Sequence, residues 1–170
     1  GCLGTVGGGH DNTALFTATV GGGCWNRANT DFTTIAGGLN NSASGSNSVI
    51  AGGNMNEIDA YAGVIGGGYR NSVYGNYGTV PGGQFNEANG KHSFAAGRRA
   101  KANHDGSFVL TDSTDADFAS VRADALRARF NGGLTFQVND GYWFRIWYAS
   151  NRLLEASNGA HLTAGGAWTN

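Results

Sequence analysis

The chain has 170 residues and a formal net charge of −1, with 30 glycines and a single proline. Glycine far exceeds its ordinary share of about 7%, but collagen is excluded because it needs glycine at every third residue and abundant proline. Charged residues make 14% of the chain, hydrophobic residues 40% and aromatics 11%, which argues against disorder, and the near-neutral charge gives no bulk attraction to nucleic acid or an anionic membrane.

Taken in order, the chain repeats. Five-residue blocks begin at Thr5, Thr19, Thr34, Val49, Val64, Thr79, Ser93 and, in degenerate form, Ser107. Examples are Thr5-Val-Gly-Gly-Gly9, Val49-Ile-Ala-Gly-Gly53 and Ser93-Phe-Ala-Ala-Gly97, at spacings of 14 or 15 residues. A second block of the Asn-x-Ala type follows each of the first seven, as at Asn26-Arg-Ala28 and Asn71-Ser-Val73. Periodicity of this kind marks a repeat architecture and takes precedence over local readings.

Numbering each repeat from its opening residue separates constrained from free positions. Position 2 holds large β-formers: Val6, Val20, Ile35, Ile50, Ile65, Val80 and Phe94. Position 10 is apolar and mostly small, and position 8 is Asn12, Asn26, Asn41, Asn56, Asn71 and Asn86. Position 7 runs Asp11, Trp25, Asn40, Met55, Arg70, Phe85, Arg99. Positions confined to Val, Ile or Ala are expected to face a core, and a position that takes anything from Asp to Trp is expected to face solvent.

Two strands in 14–15 residues are too short for helical repeats of the usual length. The expected fold is all-β, a parallel β-solenoid with coils about 4.8 Å apart, a rod of roughly 35 Å. The asparagines should stack as an amide ladder, and the glycine pairs allow a sharp corner or close backbone approach. Val and Ala cores bury little area, so at ~25 cal/mol/Å² one thin roll is marginal by itself. The small residues at position 3 (Gly7, Gly21, Ala36, Ala51, Gly66, Pro81, Ala95) suit a close contact with identical neighbours, hence an obligate homo-oligomer.

The Thr/Ser-Val/Ile-x-Gly-Gly and Asn-x-Ala blocks over about residues 5–111 resemble the heads of YadA-like trimeric adhesins and related repeats of bacteriophage-type tail fibres. The resemblance implies a left-handed parallel β-roll and a homotrimer, located outside the cell or on a virion tail fibre. It also implies an unknown receptor, a cell-surface glycan or a protein. This chain departs from the adhesin pattern in its 15-residue coils and Gly-Gly-Gly corners, and neither a coiled-coil stalk nor a membrane anchor is expected within these residues. The stretch from Ser93 to Phe108 looks more like the tail-fibre version, in which a C-terminal intramolecular chaperone trimerises the chain and then cuts itself off. The ending Gly165-Gly-Ala-Trp-Thr-Asn170 looks like the segment before such a cut, so the natural chain is expected to continue past Asn170.

The chain divides, on this reading, into a β-roll over 1–111 and a small intertwined β neck or prism over 112–170. Residues 118–138 read either as a helix or, preferably, as a hairpin turning at Asn131-Gly-Gly133. A strand with Tyr142, Phe144, Ile146 and Tyr148 on one face and Trp143, Arg145 and Trp147 on the other follows, then a turn at 149–151 and a strand near 153–156.

Candidate chemistry is sparse. Asp112, Asp115 and Asp117 could suggest a metal or a glycosidase pair, but one short segment after the coils favours turn and cap roles. His10, His92, His104 and His161 show no ligand spacing, and Cys2 and Cys24 sit at different repeat positions. The Gly-Gly-Gly blocks lack the Lys-Ser/Thr of a phosphate loop. No catalytic residue, metal or cofactor is expected. The chain opens on Gly1 without a signal sequence, which reads as a fragment or processed product, and no apolar run approaches the roughly 18 residues of a membrane span. For binding, Trp25, Met55, Tyr69, Tyr74 and Phe85, with Leu15 and Leu39, place large apolar groups on a wet face. They form either a contiguous patch or isolated groups packed on neighbouring coils. Trp143, Arg145 and Trp147 suit cation–π or sugar-ring contact, or the packing of a neck. A structural, adhesive fibre segment is the favoured function. The alternatives are a polysaccharide-degrading or carbohydrate-binding tailspike, and an ice- or mineral-binding solenoid built on Thr5, Thr19, Thr34 and Thr79.

Overall fold

The computed structural model describes residues 3–139, 142–149, 152–156, 161–163 and 168–169, with side chains up to residue 136. The chain forms two compact units, Gly1–Arg129 and Phe130–Asn170. Every element among the described residues is a strand.

The first unit is a parallel β-solenoid of about eight turns. Each coil gives one short strand to each of two ladders. The first ladder stacks Thr5–Val6, Thr19–Val20, Thr34–Ile35, Val49–Ile50, Val64–Ile65, Thr79–Val80, Phe94–Arg98, Phe108–Thr111 and Leu126–Arg129, with Gly83–Gln84 pairing alongside Phe94–Arg98. The second stacks Thr13–Ala14, Arg27–Ala28, Ser42–Ala43, Glu57–Ile58, Ser72–Val73, Glu87–Ala88, Ala100–Ala102 and Phe118–Ala119. A two-residue strand points one side chain out and the next in. The inward residues form a single file: Val20, Ile35, Ile50, Ile65, Val80, Ala95 and Val109 from one ladder meet Ala28, Ala43, Ile58, Val73, Ala88 and Ala102 from the other, all with no exposed surface.

Two members of the expected position-2 row depart from it. Val6 is 45% exposed, because it lies on the first rung and pairs only with Val20. Phe94 pairs with Thr79, not Val80, so it occupies the outward position and Ala95 takes the core place. The reason is a one-residue deletion at the corner. Gly97 pairs with Gly83, so the block is in register at its glycine end and one residue out at its strand. Phe108 pairs with Phe94 and is likewise outward, while Val109 is buried.

The ladders run beyond Thr111, where the sequence signature fades. Phe108 pairs with Leu126 and Ala100 with Phe118, so the last full coil absorbs four extra residues at its first corner, within 112–117. Neither the helix nor the preferred hairpin forms over 118–138. Phe118–Ala119 and Leu126–Arg129 are two more parallel rungs, and rung-on-rung pairing to an existing ladder supplies their hydrogen bonds.

The second unit is an antiparallel meander in chain order: Leu134–Asn139, Tyr142–Ala149, Arg152–Ala156, His161–Thr163 and Trp168–Thr169. Phe136 lies opposite Phe144, Arg145 opposite Glu155, and Leu162 opposite both Leu154 and Trp168. These strands pair within the chain.

Candidate functional site

The six asparagines of position 8 build the spine of the first corner. Each side-chain amide spans two coils: Asn41 Nδ2 donates to Gly37 O at 3.1 Å in its own coil and to Gly53 O at 3.0 Å in the next. Its Oδ1 accepts from the backbone N–H and the side-chain amide of Asn56. The pattern runs from Asn12 to Asn86 and ends where Ala100 N–H donates to Asn86 Oδ1 at 2.9 Å. Asn26, Asn41, Asn56, Asn71 and Asn86 are buried; Asn12, at the open end, is half-buried. The amide can reach the neighbouring coil only because position 5 is glycine. Gly53 has φ +91, and a Cβ there would sit 2.3 Å from Gly68 O and 2.6 Å from Asn56 Nδ2.

Directly before each Asn, and before Ala100 in the seventh coil, position 7 adopts the left-handed conformation, with φ from 52 to 60 at Asp11, Trp25, Asn40, Met55, Arg70, Phe85 and Arg99. That conformation is disfavoured for residues other than Gly, Asn and Asp. What holds it is a hydrogen bond between coils: Met55 N–H donates to Leu39 O and Arg70 N–H to Asn54 O, each at 3.0 Å. The second corner repeats the device at Phe16, Phe32, Asn47, Ala62, Tyr77 and His92. A left-handed residue swings its side chain away from the core. The position therefore tolerates any chemistry.

Trp25, Met55, Tyr69 and Phe85 all fall on this first corner, and Trp25 is 51% exposed. They are coupled to neighbouring coils. Trp25 Nε1 donates to Asp11 Oδ2 at 3.0 Å, and Tyr69 meets Phe85 edge-on at 5.4 Å. Arg70 lies over the Tyr69 ring and Arg99 over Phe85. Tyr74 stands apart, past the second ladder, where its hydroxyl donates to Glu57 Oε2 at 2.9 Å. Desolvation raises the pKa of that phenol, a hydrogen bond from Ser72 opposes the rise, and the Glu57 carboxylate adds to it. Trp143, Arg145 and Trp147 lie on alternate residues of Tyr142–Ala149; their side chains are outside the described residues, as are Cys2 and the His161 side chain.

Sequence reasoning missed a groove on the same side. About 420 Å³ in volume, it is lined by Asn40, Met55 and Arg70 from position 7, Ser42, Glu57 and Ser72 from position 9, and Asn56 at its base. The signal was available, since position 9 of these coils alternates hydroxyl and carboxylate beside a variable row.

The outward faces of the two ladders differ. The first presents Thr5, Thr19, Thr34, Val49, Val64, Thr79, Phe94, Phe108 and Leu126, flanked by the small residues Gly7, Gly21, Ala36, Ala51, Gly66, Pro81 and Ala96. Phe94 and Phe108 stack at 5.3 Å. The second presents Thr13, Arg27, Ser42, Glu57, Ser72, Glu87 and Lys101, with Lys101 Nζ bonded to Glu87 at 2.6 Å.

The acidic segment after the coils is a clamp. Asp115 bridges Arg98 at 3.0 Å and Arg99 at 2.6 Å, Asp117 bridges Arg99 at 3.1 Å, and Asp112 bridges Arg129 at 3.3 Å. The hydrogen bonds that Arg99 donates to Asp115 and Asp117 raise its pKa further. Arg127 and Arg129 lie over the Phe118 ring. Asp115 and Asp117 thus hold the four-residue insertion against the preceding coil, and Asp112 ties it to the following rung. Among the described residues no three His, Cys, Asp or Glu side chains gather as a metal cluster, and no helix is long and apolar enough to cross a membrane.

No protein-family model matches this chain, and a search of curated proteins finds no match either.

Proposed function

We propose that this chain is a structural and adhesive segment of a homotrimeric fibre, of the kind built by YadA-like adhesin heads and bacteriophage-type tail fibres. On this reading it acts outside the cell or on a phage-like particle. The observation that carries the reading is the contrast between the two outward faces: one ladder uncharged, of Thr, Val, Phe and Leu flanked by small residues, the other charged and polar. A face of Val, Thr, Ala and Gly lets another backbone approach closely, and contiguous exposed apolar side chains mark an interaction surface. Three left-handed rolls meeting through that face would complete the thin core that each chain has alone, with the C-terminal unit as a neck. The first corners and second ladders would stay outward as three identical receptor-binding surfaces, turning weak single contacts into avidity. Light scattering tests the assembly: a mass of three 17.5 kDa chains supports it, and a stable monomer at micromolar concentration overturns it.

A second reading, an ice- or mineral-binding face, draws support from one observation. Thr5, Thr19 and Thr34 pair rung to rung and are exposed, a regular row of hydroxyl and methyl groups. Val49 and Val64 continue the row without hydroxyls. Thermal hysteresis would favour this reading over self-association, and its absence would remove it.

A further inference from the structure

We infer that the groove between Asn40 and Ser72 is a binding site for a linear, neutral oligosaccharide lying along the rod axis. Its walls are two parallel rows: Asn40, Met55 and Arg70 on one side, Ser42, Glu57 and Ser72 on the other. The next residue of the first row is Trp25, half exposed, at the end of the groove away from Arg70. Together these rungs span about 14 Å at the ~4.8 Å spacing of stacked strands.

The lining matches a polyhydroxylated ligand. Arg70 and Glu57 share the groove, yet no ion pair joins them or ties either to another charge among the described residues. Arg70 is held by the Tyr69 ring and by Met55 Sδ, to which its Nε donates at 3.4 Å. Glu57 accepts from the Tyr74 hydroxyl through Oε2, which leaves Oε1 to accept from a sugar hydroxyl. A cation, a carboxylate, two hydroxyls and a primary amide present donors and acceptors in alternation, and Trp25 offers a ring edge and face at one end. Opposite charges in one short groove give it no preference for an anionic or a cationic chain.

Pitch selects the sugar over a peptide. The donor and acceptor rows recur once per rung, and a pyranose unit in an extended chain advances by about one rung. A peptide advances about 3.3 Å per residue and drifts out of step. The backbone hydrogen bonds beside the groove run from coil to coil, which leaves no free strand edge for a peptide to extend. The proposal deepens the receptor-binding part of the fibre reading, but the groove belongs to one chain and does not depend on stoichiometry.

The test is titration of the whole chain with a length series of linear glucose and N-acetylglucosamine oligosaccharides, alongside an array of extended peptides. Affinity should rise with length to about three units, the span of the rungs, and then level. Trp25→Asn, Glu57→Ser and Arg70→Asn install residues that the same repeat positions already carry in other coils, so the fold should survive, as circular dichroism can verify. Each should weaken binding by about tenfold, the loss of one charged hydrogen bond or one stacked ring, while Thr34→Val on the first ladder's outer face should leave it unchanged. Failure of the wild-type chain to bind any member of the series, equal binding by the groove variants, or binding of peptides lost in those same variants would overturn the proposal. Light scattering on the same samples separates the two readings: a trimer that binds no sugar removes the groove alone, and a monomer that binds sugar removes the trimer alone.

Discussion

Asn41 Oδ1 accepts two hydrogen bonds from Asn56, one from the backbone N–H at 3.0 Å and one from the side-chain amide at 3.1 Å. Asn56 in turn accepts the Asn71 backbone N–H at 3.0 Å and donates to Gly52 O and Gly68 O. One side chain therefore serves three consecutive coils. Truncation to Ala leaves the buried Asn71 N–H and Gly52 O without their partners, while Gly68 O keeps the Asn54 N–H at 2.9 Å. Asn56→Ala should cost about 2–4 kcal/mol by equilibrium denaturation, and Asn12→Ala, at the wetter end of the ladder, clearly less. Equal losses at both sites would show that the ladder is not the stabilising element.

The left-handed corners reverse the usual expectation for core-adjacent substitutions. Met55, at φ 57, is held in a conformation that Asn adopts more readily, so Met55→Asn should raise stability by about 0.5–1 kcal/mol. Two residues earlier, Gly53→Ala would push a Cβ to 2.3 Å from Gly68 O. It should destabilise the chain by about 3 kcal/mol or more. Paired melting curves of the two variants give the comparison directly.

Val49 and Val64 are the most apolar part of the middle of the first ladder's outer face, 38% and 40% exposed in the single chain. Replacing both with Lys adds charge where close packing is proposed and leaves the inward Ile50 and Ile65 in place. The double variant should run as a monomer in light scattering while keeping its β circular dichroism. A variant that still trimerises would move the interface to another face.

Arg99 donates hydrogen bonds to Asp115 and Asp117, and both favour its charged form. Arg99→Ala should speed amide exchange across 112–117 and leave the coils around Ile50 protected. High salt should do the same in the wild-type chain, because these exposed pairs are screened.

Tyr74 reports on the second ladder. Its pKa lies above the ordinary 10.0, through desolvation first, with a Ser72 hydrogen bond opposing the rise and Glu57 adding to it. A phenol raised in the folded state contributes stability that is fully present below the unfolded value and lost as pH climbs through the folded one. The phenolate absorbance difference between the wild-type chain and Tyr74→Phe should therefore appear above pH 10, and Glu57→Ser should bring it lower without fully restoring the ordinary value.

The rungs were readable because each repeated a chemical demand: Ile35, Ile50 and Ile65 for burial, Asn41, Asn56 and Asn71 for the ladder, Gly53 and Gly68 for the corner. Register was misread where two demands parted. At Ser93-Phe-Ala-Ala-Gly97 the glycine end keeps step with Gly83 while the strand end has slipped, and a pattern anchored on glycine assigns Phe94 to the core in place of Ala95. Residues 118–130 were misread because their local alternation carries no sign of the partner. Phe118 and Leu126 finish a coil only through rungs that precede them. The groove was missed for a different reason, since Arg70, Ser42 and Glu57 converge only when coils stack and none is conspicuous in its own repeat.

The corner geometry has an evolutionary side. At position 7 the fold asks for a backbone angle and a hydrogen bond made by main-chain atoms, so the side chain there is nearly a free variable. Such a rod can exchange one outward residue for another, coil by coil, while the scaffold beneath stays the same, and recognition can drift without renegotiating the architecture that displays it.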